Sequence, residues 1–269
     1  MQAPDWCRVT NAGTAGVAPR RPAVVVDLSS LWAGPLAGAL LLRAGAEVIK
    51  VESVARPDGA RRGHSGFFDR LNGGKRCVAL DFADARGLAA LRALLRHADI
   101  VIEGSRPRAL RQMGIVAEEF LAERPELVWV SVTAYGRDAT VGEWVGFGDD
   151  AAVAAGLSQR MAETYGQMLF VGDAVADPLT GLQAAVAALA AWRQGRGGLV
   201  ALSLAGVAAR AARLGGIWPG EFLSARAERW TRLAAKWTGR RYELPAATRR
   251  ARALGADNAA VLAALGALC

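Results

Sequence analysis

The sequence predicts an α/β domain built on a parallel sheet with helices over both faces. Three observations carry this. Short apolar runs alternate with helix-length segments along most of the chain. The runs VVV, VIKV, DIVIE and LVWVSVT are nearly continuous in Val, Ile and Leu. That is the composition of strands buried on both faces, not of strands with one wet side. The stretch Val24–Glu52, VVVDLSSLWAGPLAGALLLRAGAEVIKVE, reads as strand, turn, helix and strand, a βαβ opening.

The elements follow in order. Residues Met1 to about Arg20 are rich in Gly, Ala, Thr and Pro without periodicity, and 1–20 is expected to be a loose leader. Ala23–Leu28 is a strand, Gly34–Arg43 an apolar helix and Glu47–Val51 a strand. Ser53–Asn72 is polar and rich in Arg and Gly, so it is expected to be a long loop. Arg76–Asp81 is a strand, Ala85–His97 an amphipathic helix and Asp99–Glu103 a strand. Pro107–Met113 and Ala117–Glu123 are short helices, and Leu127–Thr133 is a buried strand. Asp149–Leu157 is a helix, and Asp177–Trp192 is the best-defined helix of the chain. Gly195–Gly198 is a turn, Leu199–Leu204 a strand and Ala205–Leu214 a helix. Beyond Gly215-Gly216 the chain is expected to be helical and basic. The expected division is a leader 1–20, a sheet domain 21–215 and a helical C-terminal segment 216–269.

Composition bounds the function. With 269 residues and 52% hydrophobic content, the chain can bury one sizeable core. Its formal charge is +8, of which +5 falls in Gly220–Cys269. A basic surface favours anionic partners, among them phosphorylated cofactors and nucleic acid. Trp230, Trp237 and Tyr242 interleave with Arg in the tail, but helical spacing explains them equally well as packing residues, so nucleic-acid binding is a distant reading. The three cysteines, Cys7, Cys77 and Cys269, make neither a metal spacing nor a disulfide framework, which points to a reducing cytoplasm. The apolar runs Leu31–Leu42 and Leu182–Trp192 are shorter than the roughly 20 residues a membrane span needs. The turn after the first strand holds Ala33-Gly34-Pro35 and no G-x-G-x-x-G, so the expected ligand is phosphate-bearing but not recognised through the dinucleotide fingerprint.

Five segments then resemble one family. DLSSLWAGPLAGALLLRAGAEVIKVE, LNGGKRCVALDF, ADIVIEGSRPRALRQMGI, PELVWVSVTAYG and VADPLTGLQAAVAALAAWRQGRGG stand in the order found in the family III CoA-transferases. That family includes formyl-CoA transferase, carnitine CoA-transferase and α-methylacyl-CoA racemase. The later LGADNAAVLAALG resembles the family's C-terminal end. The resemblance implies a Rossmann-like domain that binds coenzyme A, an interlocked homodimer and no metal. It implies an aspartate nucleophile four residues before a helix glycine, which here is Asp177 with Gly181; Asp173 has the wrong offset. It also implies that Ser30, Leu31, Trp32 and Ala33 contact coenzyme A, that Asn72, Lys75 and Arg76 match an Asn-x-x-Lys-Arg segment, and that Arg106 matches a basic loop position.

The residues read differently without the family. Asp177-Pro178 is a helix N-cap followed by a first-turn proline. Lys75 and Arg76 form a solvated turn before a strand, and Trp32 packs in the core. The chain also departs from the family's pattern. Gly104-Ser105 stands where Asn-Phe is common, and Gln112 where formyl-CoA transferase has arginine, with Arg111 adjacent. Gly146-Phe147-Gly148 replaces the racemases' Gly-His-Asp, while His64 and His97 lie elsewhere, so racemase chemistry by that route is not expected. The chain is shorter than family members and is expected to lack their small domain. Two activities therefore compete: an acyl-CoA:carboxylate CoA-transferase, and a catalytically degenerate CoA or acyl-CoA binder, or partner of a longer paralogue.

Overall fold

The computed structural model describes residues 6–10, 16, 21–214, 220–237 and 246–266. Seven strands form one sheet: β1 (Cys7–Thr10), β2 (Val24–Asp27), β3 (Glu47–Ser53), β4 (Arg76–Leu80), β5 (Ile100–Glu103), β6 (Val128–Thr133) and β7 (Gly198–Ser203). Their spatial order is β1-β7-β6-β5-β2-β3-β4. The six strands from β2 onward are parallel, and only β1 runs antiparallel, on β7. The order reverses between β2 and β5, the doubly wound arrangement in which ligands bind outside the carboxyl ends of the strands.

Side-chain alternation divides the core into two layers. Val25, Ile100, Ile102, Val128, Val130, Val200 and Leu202 face one way. They meet α1 (Ala33–Arg43), α6 (Gly148–Ala154), α8 (Ala176–Arg193) and α9 (Leu204–Leu214). Val26, Ile49, Val51, Val78, Val101 and Trp129 face the other way. They meet α3 (Ala85–His97) and α5 (Ala117–Glu123). Helices α1 and α8 approach so closely that a Cβ on Gly181 would stand 2.5 Å from the Ala33 carbonyl oxygen. This contact fixes the start of α8 against the start of α1.

Four expectations are corrected. The supposed loop Ser53–Asn72 contains a 3₁₀ turn, Gly59–Arg62, and the helix α2, Ser65–Asn72. Its polar composition belongs to the outer surface; Phe68 and Leu71, three apart, supply the buried side. The expected leader is a strand at Cys7–Thr10, where it pairs with the otherwise open side of β7; apart from Trp6–Thr10 and Gly16 it lies outside the described residues. The helix expected over Asp149–Leu157 is α6 and ends three residues early at Ala154, and a separate helix, α7 (Leu157–Tyr165), follows it.

The fourth correction concerns the C-terminal segment. Gly220–Trp237 is helical as expected (α10), but 246–257 is not. That stretch returns to the sheet edge, where Asp257 Oδ2 accepts the Cys77 N–H at 2.8 Å. The Asn258 side chain then accepts the Ala79 N–H (2.9 Å) and donates to the Ala79 carbonyl (2.8 Å), as a neighbouring strand would. The following helix α11 (Asn258–Ala264) buries Val261 and Leu262 in the second core layer. The chain end thus completes the sheet domain.

Candidate active site

The loops after β2 and β5 diverge at the switch point, with Ser29–Trp32 on one side and Gly104–Arg106 on the other. Buried charges hold the first of these loops from below. Asp27 ends β2 with no solvent exposure. Its carboxylate accepts the Ser29 N–H (3.0 Å), the Ser29 hydroxyl and the Lys75 ammonium (2.8 Å). Lys75 also donates to the Pro35 carbonyl (2.8 Å) in the first turn of α1 and to Asn72 Oδ1 (3.1 Å). Burial pushes the Asp27 carboxyl up, but the charges of Lys75 and Lys50 together with the hydrogen bonds from Lys75 and Ser29 outweigh it and hold it below the usual carboxylate range.

A second buried pair works beside the first. Lys50 donates to the Ser29 carbonyl (2.9 Å) and meets Asp58 Oδ2 at 2.9 Å. Asp58 Oδ1 accepts the Leu31 N–H at 3.0 Å, and the Asp58 N–H is held by Glu52 (2.9 Å). This matters because Leu31 is left-handed, with φ +70°. Such a conformation costs a non-glycine residue about 1–3 kcal/mol and persists only when its surroundings over-determine it. Among the described residues the one other non-glycine with positive φ is Ala174, at +45°. Ala174 lies just before α8, and its N–H is held by Asp149 Oδ1 at 2.9 Å. Both strained residues therefore flank the same place.

Between them lies Asp177. It is the second residue of α8, not the cap, and no side chain caps that helix. The cap reading is thus corrected. The carboxylate instead accepts the N–H of Ala33, the first residue of α1, at 3.3 Å. The backbone N–H of Gly148, the first residue of α6, also favours the carboxylate form, and Gly148 lies against its Oδ2. Three helix N-termini therefore converge on one carboxylate, each with free N–H groups and a positive dipole end. The fit is tight: a Cβ on Gly148 would lie 2.2 Å from Asp177 Oδ2. Burial nevertheless dominates the protonation equilibrium. It pushes the Asp177 pKa up to about 6; the Ala33 and Gly148 amides pull it down, and the Asp149 and Asp173 charges add to the rise.

Of the expected contact residues Ala33 touches this carboxylate through its N–H, while Ser30, Leu31 and Trp32 precede it in the same loop and Arg106 follows β5 across the switch point. Ser30 and Arg106 are exposed, and Ala33 is buried behind its hydrogen bond. Trp32 is half-buried with its ring edge-on to Phe67, centroids 5.2 Å apart, so it is not a core tryptophan. Asn72 and Lys75 lie buried beneath the loop. The solvated-turn reading of Lys75 is corrected, because its ammonium is consumed inside the fold. Arg76 is exposed at the opposite, N-terminal end of β4 and pairs with Glu47 at 3.1 Å; it does not join the cluster. Sequence reasoning overlooked Asp27, Lys50, Asp58 and Asp149. The signal for Lys50 was visible: a lysine inside EVIKVE is a charge in a strand read as buried.

The family profile decides kinship. CoA-transferase family III matches residues 23–226. The chain belongs to that family. Over 180 residues it is 31% identical to the succinate–glutarate CoA-transferase of Agrobacterium fabrum, covering 62% of this chain and 45% of that protein. Over 176 residues it is 31% identical to the probable fatty acyl-CoA transferase Rv3272 of Mycobacterium tuberculosis, covering 62% and 44%. The crystal structure of Rv3272 superposes with a TM-score of 0.65 at 28% identity, over 75% of this chain and 57% of that one. A CAIB/BAIF family protein from Brucella suis gives 0.64 at 28% identity, over 72% and 55%. The chain spans about half the length of the curated relatives it matches. Within the family's matched region lie β2 to β7, Asp177 and the clamped loop.

Proposed function

We propose that this chain is an acyl-CoA:carboxylate CoA-transferase acting through an aspartyl-CoA thioester on Asp177. The observation that carries the reading is the Asp177 carboxylate at three converging helix N-termini, at the carboxyl edge of a doubly wound sheet, in a member of this family. In the first step a carboxylate oxygen attacks the acyl thioester carbonyl. The C–S bond breaks, CoA thiolate leaves with the electron pair, and a mixed aspartyl–acyl anhydride remains. The thiolate then attacks the aspartyl carbonyl, releasing the first acid as its carboxylate. An acceptor carboxylate attacks the resulting aspartyl-CoA thioester, displacing thiolate, and the thiolate takes the acceptor acyl group from the second anhydride. No net proton is exchanged. Whenever the aspartyl carbonyl is attacked, its oxygen becomes an oxyanion within reach of the Ala33 and Gly148 N–H groups. Such donors are each worth about 10²–10³ in rate where measured.

CoA would lie over Ser30, Leu31, Trp32 and Ala33, with Arg106 facing its phosphates. Asn72 and Lys75 would act from beneath, by shaping the loop. The test is Asp177→Asn: acyl transfer is lost while CoA binding remains, and the hydroxylamine-sensitive acyl-enzyme mass disappears. Undiminished turnover in that variant refutes the assignment.

A second reading, a CoA-binding partner subunit, has one observation in its favour. Leu182 and Val186, one turn apart on α8, are 54% and 55% exposed. We propose that they meet another chain, in a homodimer or with a longer paralogue, in the cytoplasm. Among the described residues no helix is long and apolar enough to cross a membrane. Native mass spectrometry of the purified protein tests the assembly; a monomer at micromolar concentration contradicts it.

A further inference from the structure

The surroundings of Asp177 carry information about the acyl group, on the reading that Asp177 is the nucleophile. Gly148 presses on the carboxylate, and the residue before it, Phe147, is 57% exposed. Trp144, 49% exposed, stacks edge-on to Tyr135 at 5.8 Å, and Tyr135 in turn lies against Gly146. On the other side of the carboxylate, Leu31 is 41% exposed in its strained conformation. Exposed apolar side chains thus stand on both backbone segments that touch the carboxylate, 144–148 and 31–33.

The charges point the same way. Asp149 and Asp173 act electrostatically on Asp177, and Asp150 acts on Tyr135. Asp149 and Asp150 are held in place by the backbone N–H groups of Ala174 and Phe147, both at 2.9 Å. Among the described residues, none of Asp149, Asp150, Asp173 and Asp177 forms an ion pair. A thioester whose far end bears a second carboxylate would bring a fifth negative charge among four that no cation pairs with among the described residues. We infer that the acyl group exchanged at Asp177 is a neutral apolar chain seated on Phe147 and Trp144, and that dicarboxylic acyl groups are rejected by Asp149, Asp150 and Asp173.

The experiment compares octanoyl-CoA, succinyl-CoA and acetyl-CoA with propionate as common acceptor, reading kcat/KM and the mass of loaded enzyme. The expected preference for octanoyl over succinyl is at least about tenfold, the scale at which a pocket discriminates between chains. Phe147→Ala lowers the octanoyl-to-acetyl ratio of kcat/KM about tenfold. Asp173→Asn, an exposed position, raises the succinyl-to-octanoyl ratio of kcat/KM. Succinyl-CoA used as well as octanoyl-CoA, or a Phe147→Ala variant with an unaltered octanoyl-to-acetyl ratio, overturns the inference while the acyl-enzyme mass still supports the nucleophile. No acyl-enzyme from any thioester overturns both.

Discussion

The Asp177 carboxyl, pushed up to about 6 by burial, makes the proposed enzyme acid-sensitive in a measurable way. Only the carboxylate can attack a thioester. At that pKa roughly nine-tenths of the sites are ionised at pH 7 and roughly one-tenth at pH 5, so the rate falls about tenfold. An aspartate at the ordinary value of 3.8 would keep nearly all of its activity over that interval. The assay is kcat/KM from pH 4.5 to 8, which reports ionisations of the free reactants. CoA carries a phosphate monoester whose own second ionisation lies near 6, so the substrate is an acyl-pantetheine lacking it. A midpoint near 4 would refute the reasoning, because the Ala33 and Gly148 amides would then outweigh desolvation. Stability moves with the same equilibrium. The fold prefers the protonated carboxyl, so this contribution is present below pH 3.8 and is lost as pH rises through about 6. The full swing is about 3 kcal/mol at 1.36 kcal/mol per unit. Asp177→Asn should therefore be more stable than the parent at pH 7, by up to that amount in urea melts, and the advantage should vanish at pH 4.

Three further outcomes follow from the same geometry. Gly148→Ala drives a Cβ into the Asp177 carboxylate and should cost about 100-fold in kcat, the scale of an ångström-sized misplacement; unchanged kcat would show that the carboxylate is not held where it stands. Lys75→Met removes the ion-pair partner of the buried Asp27, and should lower unfolding free energy by about 3–5 kcal/mol; a loss under about 1 kcal/mol would place the ammonium in solvent after all. Asn258→Ala removes both side-chain hydrogen bonds to Ala79. It should cost about 1–3 kcal/mol and expose the amides of β4 to hydrogen exchange; a silent substitution would return the chain end to the status of a tail.

Much of the domain was legible in the sequence because strand burial and helix amphipathicity leave periodic traces. The parallel sheet and the long helix α8 came from such local patterns. Elements whose partners are distant in the chain left no such trace. Cys7–Thr10 is a strand only because β7 offers it an edge, and 246–266 belongs to the domain only through β4 and the second core layer. The site divides in the same way. Resemblance to the family pointed to Asp177 as the proposed nucleophile and to the loop Ser30–Ala33 as the proposed coenzyme A contact. That Lys75 is a buried strut, that Arg76 faces the wrong end of the sheet, and that Asp177 binds the N-termini of two other helices were decided by tertiary structure alone. A side chain's charge state and reach depend on what surrounds it, and residues 33, 148 and 177 become neighbours only when the helices pack on the sheet.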